Sequence, residues 1–271
     1  MVDQDPVIRR IALSVLLAAA VGCATKTRGL VPPGTTEPDK FLFDRGTAAL
    51  NDKKWLNARE YFKQIVETYT QSPYRPDAKL GMGDTYLGEN TAESLVLAIN
   101  EYREYLSFYP TNPRADYAQY KLGMAHFRQM RAPQRDQAET KEAIKEFEAF
   151  VTRYPNSELM PEVKAKLREA HDRLSTSDYL VGYFYFRSRW YPGAIDRFQS
   201  VLKQDEAYNG RDAVYFYLGE ALVKVKRQAE ALPYYERLLS EFDQSEYLDD
   251  ARKRVAELKG LAQNKQPAPP R

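Results

Sequence analysis

Five alanines in this chain are each followed, four residues on, by an aromatic ring: Ala58/Phe62, Ala98/Tyr102, Ala143/Phe147, Ala194/Phe198 and Ala231/Tyr235. A glycine precedes every pair: Gly46, Gly83, Gly123, Gly182 and Gly219. The glycine stands 12 residues before the alanine in the first, fourth and fifth copies, 15 in the second and 20 in the third. Residues four apart share a helix face, so alanine and ring lie on one stripe. Glycine and alanine remove bulk and let two helices cross closely. The pattern predicts repeated pairs of antiparallel helices, whose apolar faces are buried only by stacking on neighbours. Each ring is expected to fill the space toward the next hairpin. The wider spacings predict longer loops inside the second and third hairpins. The third insertion is polar, from Met130 to Thr140, with Pro133 and Arg135-Asp136-Gln137.

The register is that of a tetratricopeptide repeat. It predicts an all-α solenoid of about five helix hairpins plus a C-terminal capping helix. Tyr109-Pro110 and Tyr154-Pro155 each stand seven residues after the ring of their repeat. Proline cannot continue a helix, so the second helix of the hairpin ends there twice in the same register. Asn156-Ser157 is read as the N-cap of the next helix. That helix carries the stripe Val163, Leu167, Ala170 and Leu174, and Ser175-Thr176-Ser177-Asp178 is expected to break and recap it. Leu248, Ala251, Val255 and Leu258 form a last one-sided helix. Its charged outer face is what a terminal cap requires.

The front of the chain reads as a secretion leader. Arg9 and Arg10 precede an uncharged apolar run, 11–21, too short for a comfortable membrane span. It ends in Ala20-Val21-Gly22 before Cys23, the single cysteine, so no intramolecular disulfide forms. The segment resembles a bacterial lipobox, although Ala20 stands where leucine is usual. The resemblance implies cleavage before Cys23 and its acylation. An ordinary leader with an incidental cysteine is the other reading. Ala24 after the cysteine, where an aspartate is absent, goes in such lipoproteins with transfer to the outer membrane. The expected organisation is a leader over 1–22, a Pro- and Gly-bearing tether over 23–38, the repeat domain over 39–262 and a disordered tail over 263–271.

Charge is balanced, with 40 Lys and Arg against 38 Asp and Glu. The signs are interleaved, which excludes the basic stripe of a nucleic-acid binder. The pattern for chemistry is equally thin. Of the two histidines, His126 occupies the register held by Tyr86 and Tyr185 and is read as core; His171 lies on the stripe between Ala170 and Leu174. Neither has a cysteine, a second histidine or a carboxylate pair at metal-ligand spacing along the chain. Gly81-Met82-Gly83 follows no strand and is not a phosphate loop. No catalytic residue, metal or cofactor is expected.

The whole arrangement resembles the BamD family of lipoproteins in the outer-membrane β-barrel assembly machinery. The residues that carry it are Pro113 to Gly123, then Arg135-Asp136-Gln137, then Phe147 through Tyr154-Pro155-Asn156-Ser157, and finally Tyr183 through Ile195. Tyr69-Thr70 and Gly193 depart from the family pattern. The resemblance implies a non-enzymatic subunit held by acyl chains on Cys23 at the periplasmic face of the outer membrane. Its implied partners are unfolded barrel proteins, the periplasmic domains of the barrel component BamA, and other lipoproteins of the machinery. Another periplasmic repeat scaffold, in envelope or division assembly, is the alternative. A cell-wall enzyme would need a positioned acid in a cleft. Clients are implied to bind the N-terminal repeats and BamA the C-terminal ones. Repeat geometry then nominates the groove on the first helix of each hairpin: Phe43, Thr47 and Leu50; Leu80, Asp84 and Leu87; Tyr117, Tyr120, Met124 and Phe127. Each of these either faces a peptide or fills space between helices. Arg197 matches an arginine that the family uses toward BamA; a solvated helix arginine is the other reading.

Overall fold

The computed structural model describes residues 30–263. The leader, Cys23 and the tail beyond 263 lie outside the described residues, as does the tether up to residue 29. Eleven helices and no strand occur among the described residues: α1 Pro38–Asn51, α2 Trp55–Thr68, α3 Arg75–Glu89, α4 Ala92–Phe108, α5 Ala115–Phe127, α6 Ala138–Arg153, α7 Met160–Arg187, α8 Tyr191–Gln204, α9 Arg211–Lys224, α10 Gln228–Glu241 and α11 Leu248–Gln263. Each helix packs on its neighbours in sequence. First helices of successive hairpins also touch: α1 with α3, α3 with α5, α7 with α9. They line one face of a stack of five hairpins, and α11 closes it.

The repeat glycines explain the crossings. A Cβ built on Gly46, Gly83, Gly123, Gly182 or Gly219 would lie 2.5–2.7 Å from a ring carbon of Phe62, Tyr102, Phe147, Phe198 or Tyr235 respectively. The ring of each second helix therefore packs directly on the glycine of its own hairpin, where the sequence reading had it reach toward the next. Phe62 does both, since Gly81 of the following hairpin is equally close to it. All five rings are buried.

Hairpin turns share a second device. Seven residues past the glycine stand Lys53, Asn90, Arg189 and Lys226, with φ of 58°, 57°, 62° and 64°. In three of them the next amide closes a wide bond back into the helix: Lys54 to Ala49 (2.8 Å), Trp190 to Tyr185 (2.9 Å) and Arg227 to Leu222 (2.9 Å). This left-handed exit satisfies carbonyls the helix leaves open. The third repeat lacks it and carries instead the expected long connection, 128–137.

Three local expectations are corrected. The second hairpin has no long loop: only Asn90 and Thr91 separate α3 from α4. A reciprocal cap between Thr91 and Ser94 (2.8 and 3.1 Å) starts α4 early, so the extra residues are helical. Ser157 does not cap α7. Its hydroxyl is drawn back to Asp116 of the preceding hairpin at 2.6 Å, and Leu159 stands at the cap position without a side-chain bond. Finally, Ser175 to Asp178 do not interrupt α7, which runs 28 residues. Ser175 donates to Asp205 (2.7 Å), and Thr176 donates to the Asp172 carbonyl one turn back (2.7 Å). Hydroxyls that find such partners have no reason to leave the helix.

α7 thus belongs to two units, its first half packing on α6 and its second half pairing with α8. Asp205 at the end of α8 fastens it. Arg168 forms a two-pronged pair with this carboxylate, one prong at 2.9 Å. Burial alone would raise the Asp205 pKa, but the bonds from Arg168 and Ser175 outweigh it and hold the pKa below the ordinary 3.8. A depressed carboxyl stabilises the fold above its unfolded pKa, and that contribution is lost as pH falls through the folded value. The stability advantage of the native chain over Asp205→Asn, measured by urea melts, is therefore expected to be constant above about pH 5 and to shrink below pH 4. An advantage independent of pH would exclude this role.

Candidate functional site

The face made by α1, α3 and α5 carries rings and charge together. Phe43 stacks on Tyr74 at the start of α3, centroids 5.1 Å apart. Asp84, half-buried on α3, accepts from the Tyr102 hydroxyl at 2.7 Å and from Tyr117 of α5 at 3.0 Å to each oxygen. Burial raises the Asp84 pKa, and the phenol bonds and the nearby charges of Lys121 and Arg114 only partly oppose it. Burial and the Asp84 charge likewise push both phenols above their usual range. The three groups lock α3 to α5.

Over the Tyr117 ring lie two cations, the Arg114 guanidinium at 5.0 Å and the Lys121 ammonium at 5.1 Å; Lys121 also sits 5.6 Å from the Tyr120 ring. Arg114 is paired with Asp77, whereas Lys121 has no carboxylate within ion-pair distance among the described residues. Further along, Lys166 of α7 lies 4.8 Å from the Phe127 ring. Such pairs present a cation beside an apolar surface, a chemistry suited to aromatic and anionic groups of an extended chain.

The nominated residues divide. Phe43, Thr47, Leu50, Asp84, Tyr117, Met124 and Phe127 are half-buried on this face. Leu80 and Leu87 are buried in the core between helices. Tyr120 is only 6% exposed, and its hydroxyl reaches Glu162 of α7 at 2.5 Å. The cations Arg114, Lys121 and Lys166 were missed. Lys121 was within reach of sequence reasoning, since it lies four residues after Tyr117; Lys166 comes from another helix and carried no local signal.

At the other half of the molecule Arg197 is exposed on α8, its Cβ packed toward Gly182 of α7. It shares a face with Trp190, seven residues before it. Trp190 is 55% exposed, covers Gly193 and meets Tyr185 edge-on at 4.6 Å. Phe184 and Val181 are also exposed. Arg187, Arg189 and Arg197 have no carboxylate within ion-pair distance among the described residues. This edge is apolar with unpaired positive charge.

The histidines sit differently. His126 is buried but polar, its Nδ1 2.7 Å from Glu139. His171 is half-buried beside Glu148 at 3.6 Å. No described helix is long and apolar enough to cross a membrane.

Stacked hairpins, glycine crossings and a ring-lined inner face define a tetratricopeptide-repeat protein. Residues 35–229 match the YfiO family, described as outer membrane lipoprotein. Over 220 residues the chain is 30% identical to the outer membrane protein assembly factor BamD of Caulobacter vibrioides, covering 80% of this chain and 71% of that one. Over 207 residues it is 25% identical to BamD of Rickettsia prowazekii, covering 75% and 79%. A solved TPR2AB domain of yeast Sti1 superimposes with a TM-score of 0.46 at 12% identity, over 83% of this chain and 84% of that one, too remote to add to the assignment. The chain belongs to the YfiO family of outer membrane lipoproteins.

Proposed function

We propose that this protein is a non-enzymatic docking subunit of outer-membrane protein assembly. Cys23, acylated after removal of residues 1–22, would hold the repeat domain (39–262) at the periplasmic face of the outer membrane through the tether 23–38. The α1–α3–α5 face, with Phe43, Thr47, Asp84, Tyr117, Lys121 and Met124, takes a segment of an unfolded barrel protein. The α7–α8 edge with Arg197 docks on the periplasmic domains of BamA, and other lipoproteins of the machinery attach elsewhere. The relatives' shared name supports the process. The observation that carries the client site is the unpaired Lys121 ammonium over two tyrosine rings.

Lys121→Glu tests it, because the side chain makes no hydrogen bond or ion pair among the described residues and only overlies the two rings. Anisotropy titration of a labelled peptide from the last strand of a barrel protein is expected to give about tenfold weaker binding with helicity unchanged. An unaltered Kd removes the groove. Tyr120→Ala is a poor probe, since it opens the core. For the second surface, Arg197→Glu is expected to abolish pull-down of BamA's periplasmic domains; full retention removes that assignment. Recovery of division or cell-wall proteins instead, on co-purification from detergent-solubilised membranes, would select the alternative scaffold role.

A further inference from the structure

Between α4, α5 and α6 the fold gathers groups that the linear sequence keeps apart. Glu139, Glu142 and Glu146 stand on α6, His126 on α5 and Arg103 on α4. Glu142 and Glu146 are four residues apart and share a helix face. The ligand atoms of His126, Glu142 and Glu146 all lie within 4.8 Å of one another. His126 is 4% exposed, and its Nδ1 is held by Glu139 at 2.7 Å. That bond leaves Nε2 as the free coordinating atom. A carboxylate behind the histidine is the second shell that fixes tautomer and ring plane in metal sites.

What faces Nε2 is a cation. The Arg103 guanidinium stands 3.3 Å from it and 4.0 Å from each of Glu142 and Glu146. Arginine only donates, so Nε2 presents a lone pair toward the cluster. Arg103 is half-exposed and free to swing into solvent. Two further groups touch the carboxylates. Gln119 donates to Glu146 at 2.7 Å, and the exposed Lys145 pairs with Glu142 at 3.1 Å.

We propose that His126, Glu142 and Glu146 form a binding site for a divalent cation of the zinc class, with Glu139 positioning the imidazole and Arg103 as the displaceable occupant. Imidazole with carboxylates suits such ions, and three protein ligands leave a fourth position for water. Ligands at about 2.0–2.2 Å from a tetrahedral ion stand about 3.4 Å apart. An ion here would tie α5 to α6 across the long 128–137 connection, where the left-handed turn of the other hairpins is missing.

The test is titration of the tag-free chain with Co²⁺, read by visible absorption, followed by Zn²⁺ competition. One saturable equivalent is expected. Arg103→Ala is expected to tighten binding at least tenfold by removing the competing cation. Glu142→Gln with Glu146→Gln is expected to weaken it at least tenfold, and Glu139→Gln by about tenfold through the second shell. Helicity is followed by circular dichroism, and His171→Ala, the only other histidine changed, should leave the spectrum intact. No saturable band in either the native chain or Arg103→Ala overturns the proposal. So does a band that keeps its affinity in the double glutamate substitution or disappears in His171→Ala.

Discussion

Phe147→Ala lowers the stability of the chain by about 3–5 kcal/mol, the range for removing a fully buried aromatic side chain. The ring is wholly buried, packs on Gly123 and meets Tyr120 and Phe127 at 6.5 and 6.1 Å. Glycine has no side chain that could move into the vacated space. Because each hairpin contacts only its neighbours, a defect in the third weakens coupling between the two ends of the stack. Urea unfolding followed by circular dichroism should therefore show an earlier transition that is also broader than in the native chain. The reciprocal change, Gly123→Ala, places a Cβ 2.5 Å from the same ring. Overpacking of about 1–3 kcal/mol outweighs the gain of about 1 kcal/mol from replacing a helical glycine. A loss below about 1 kcal/mol in Phe147→Ala would show that the crossing is held by other contacts.

The glycine–ring register was legible because both partners belong to one hairpin and recur at one spacing in three of the five copies. The stops at Tyr109-Pro110 and Tyr154-Pro155 were legible for a similar reason, since proline acts on its own backbone. Reading failed where a side chain had two possible partners and the winner came from another helix. Ser157 donates to Asp116 and accepts only from the Leu159 amide ahead of α7, and Ser175 donates to Asp205, so neither marked a helix boundary. In the second hairpin the Thr91–Ser94 cap was present in the sequence, but the spacing argument assigned its extra residues to a loop. The site was legible in part. Ring positions on the first helices followed from the register, yet Lys166, which reaches Phe127 from another helix, did not, nor did the approach of Glu142 and Glu146 to His126. Polar groups 10–40 residues apart meet according to the stacking angle of hairpins, and periodicity does not encode that angle.

The stacking also explains why α7 is long. A standard repeat would break between hairpins, as at Tyr109-Pro110. Here one continuous helix carries Glu162, bonded to Tyr120 in the third hairpin, and Gly182, which seats Phe198 in the fourth. The two proposed surfaces thus both lean on α7, the α1–α3–α5 face through the Tyr120–Glu162 bond and the Arg197 edge through the Gly182–Phe198 contact.

Arg254→Ala is expected to release the closing helix. Glu220 of α9 is 8% exposed and accepts from the Tyr235 hydroxyl at 2.7 Å and from Arg254 of α11 at 2.5 and 2.8 Å. Those bonds to Glu220 push the Arg254 pKa further up, and burial followed by the Glu220 charge does the same to the Tyr235 phenol. Without Arg254 the carboxylate is left inside with one phenol. Breaking a buried pair costs about 3–5 kcal/mol, and because a third of the Arg254 side chain is exposed the lower figure of about 2–3 kcal/mol is expected. The loss falls on α11, whose apolar contacts come from Leu248, Ala251, Val255 and Leu258 on one side only, so limited proteolysis should cut within 248–263 before the rest of the chain unfolds. Adding Glu220→Gln removes the stranded charge and should recover about 1 kcal/mol or more. Equal protease resistance of the native chain and Arg254→Ala would mean that packing alone holds the cap.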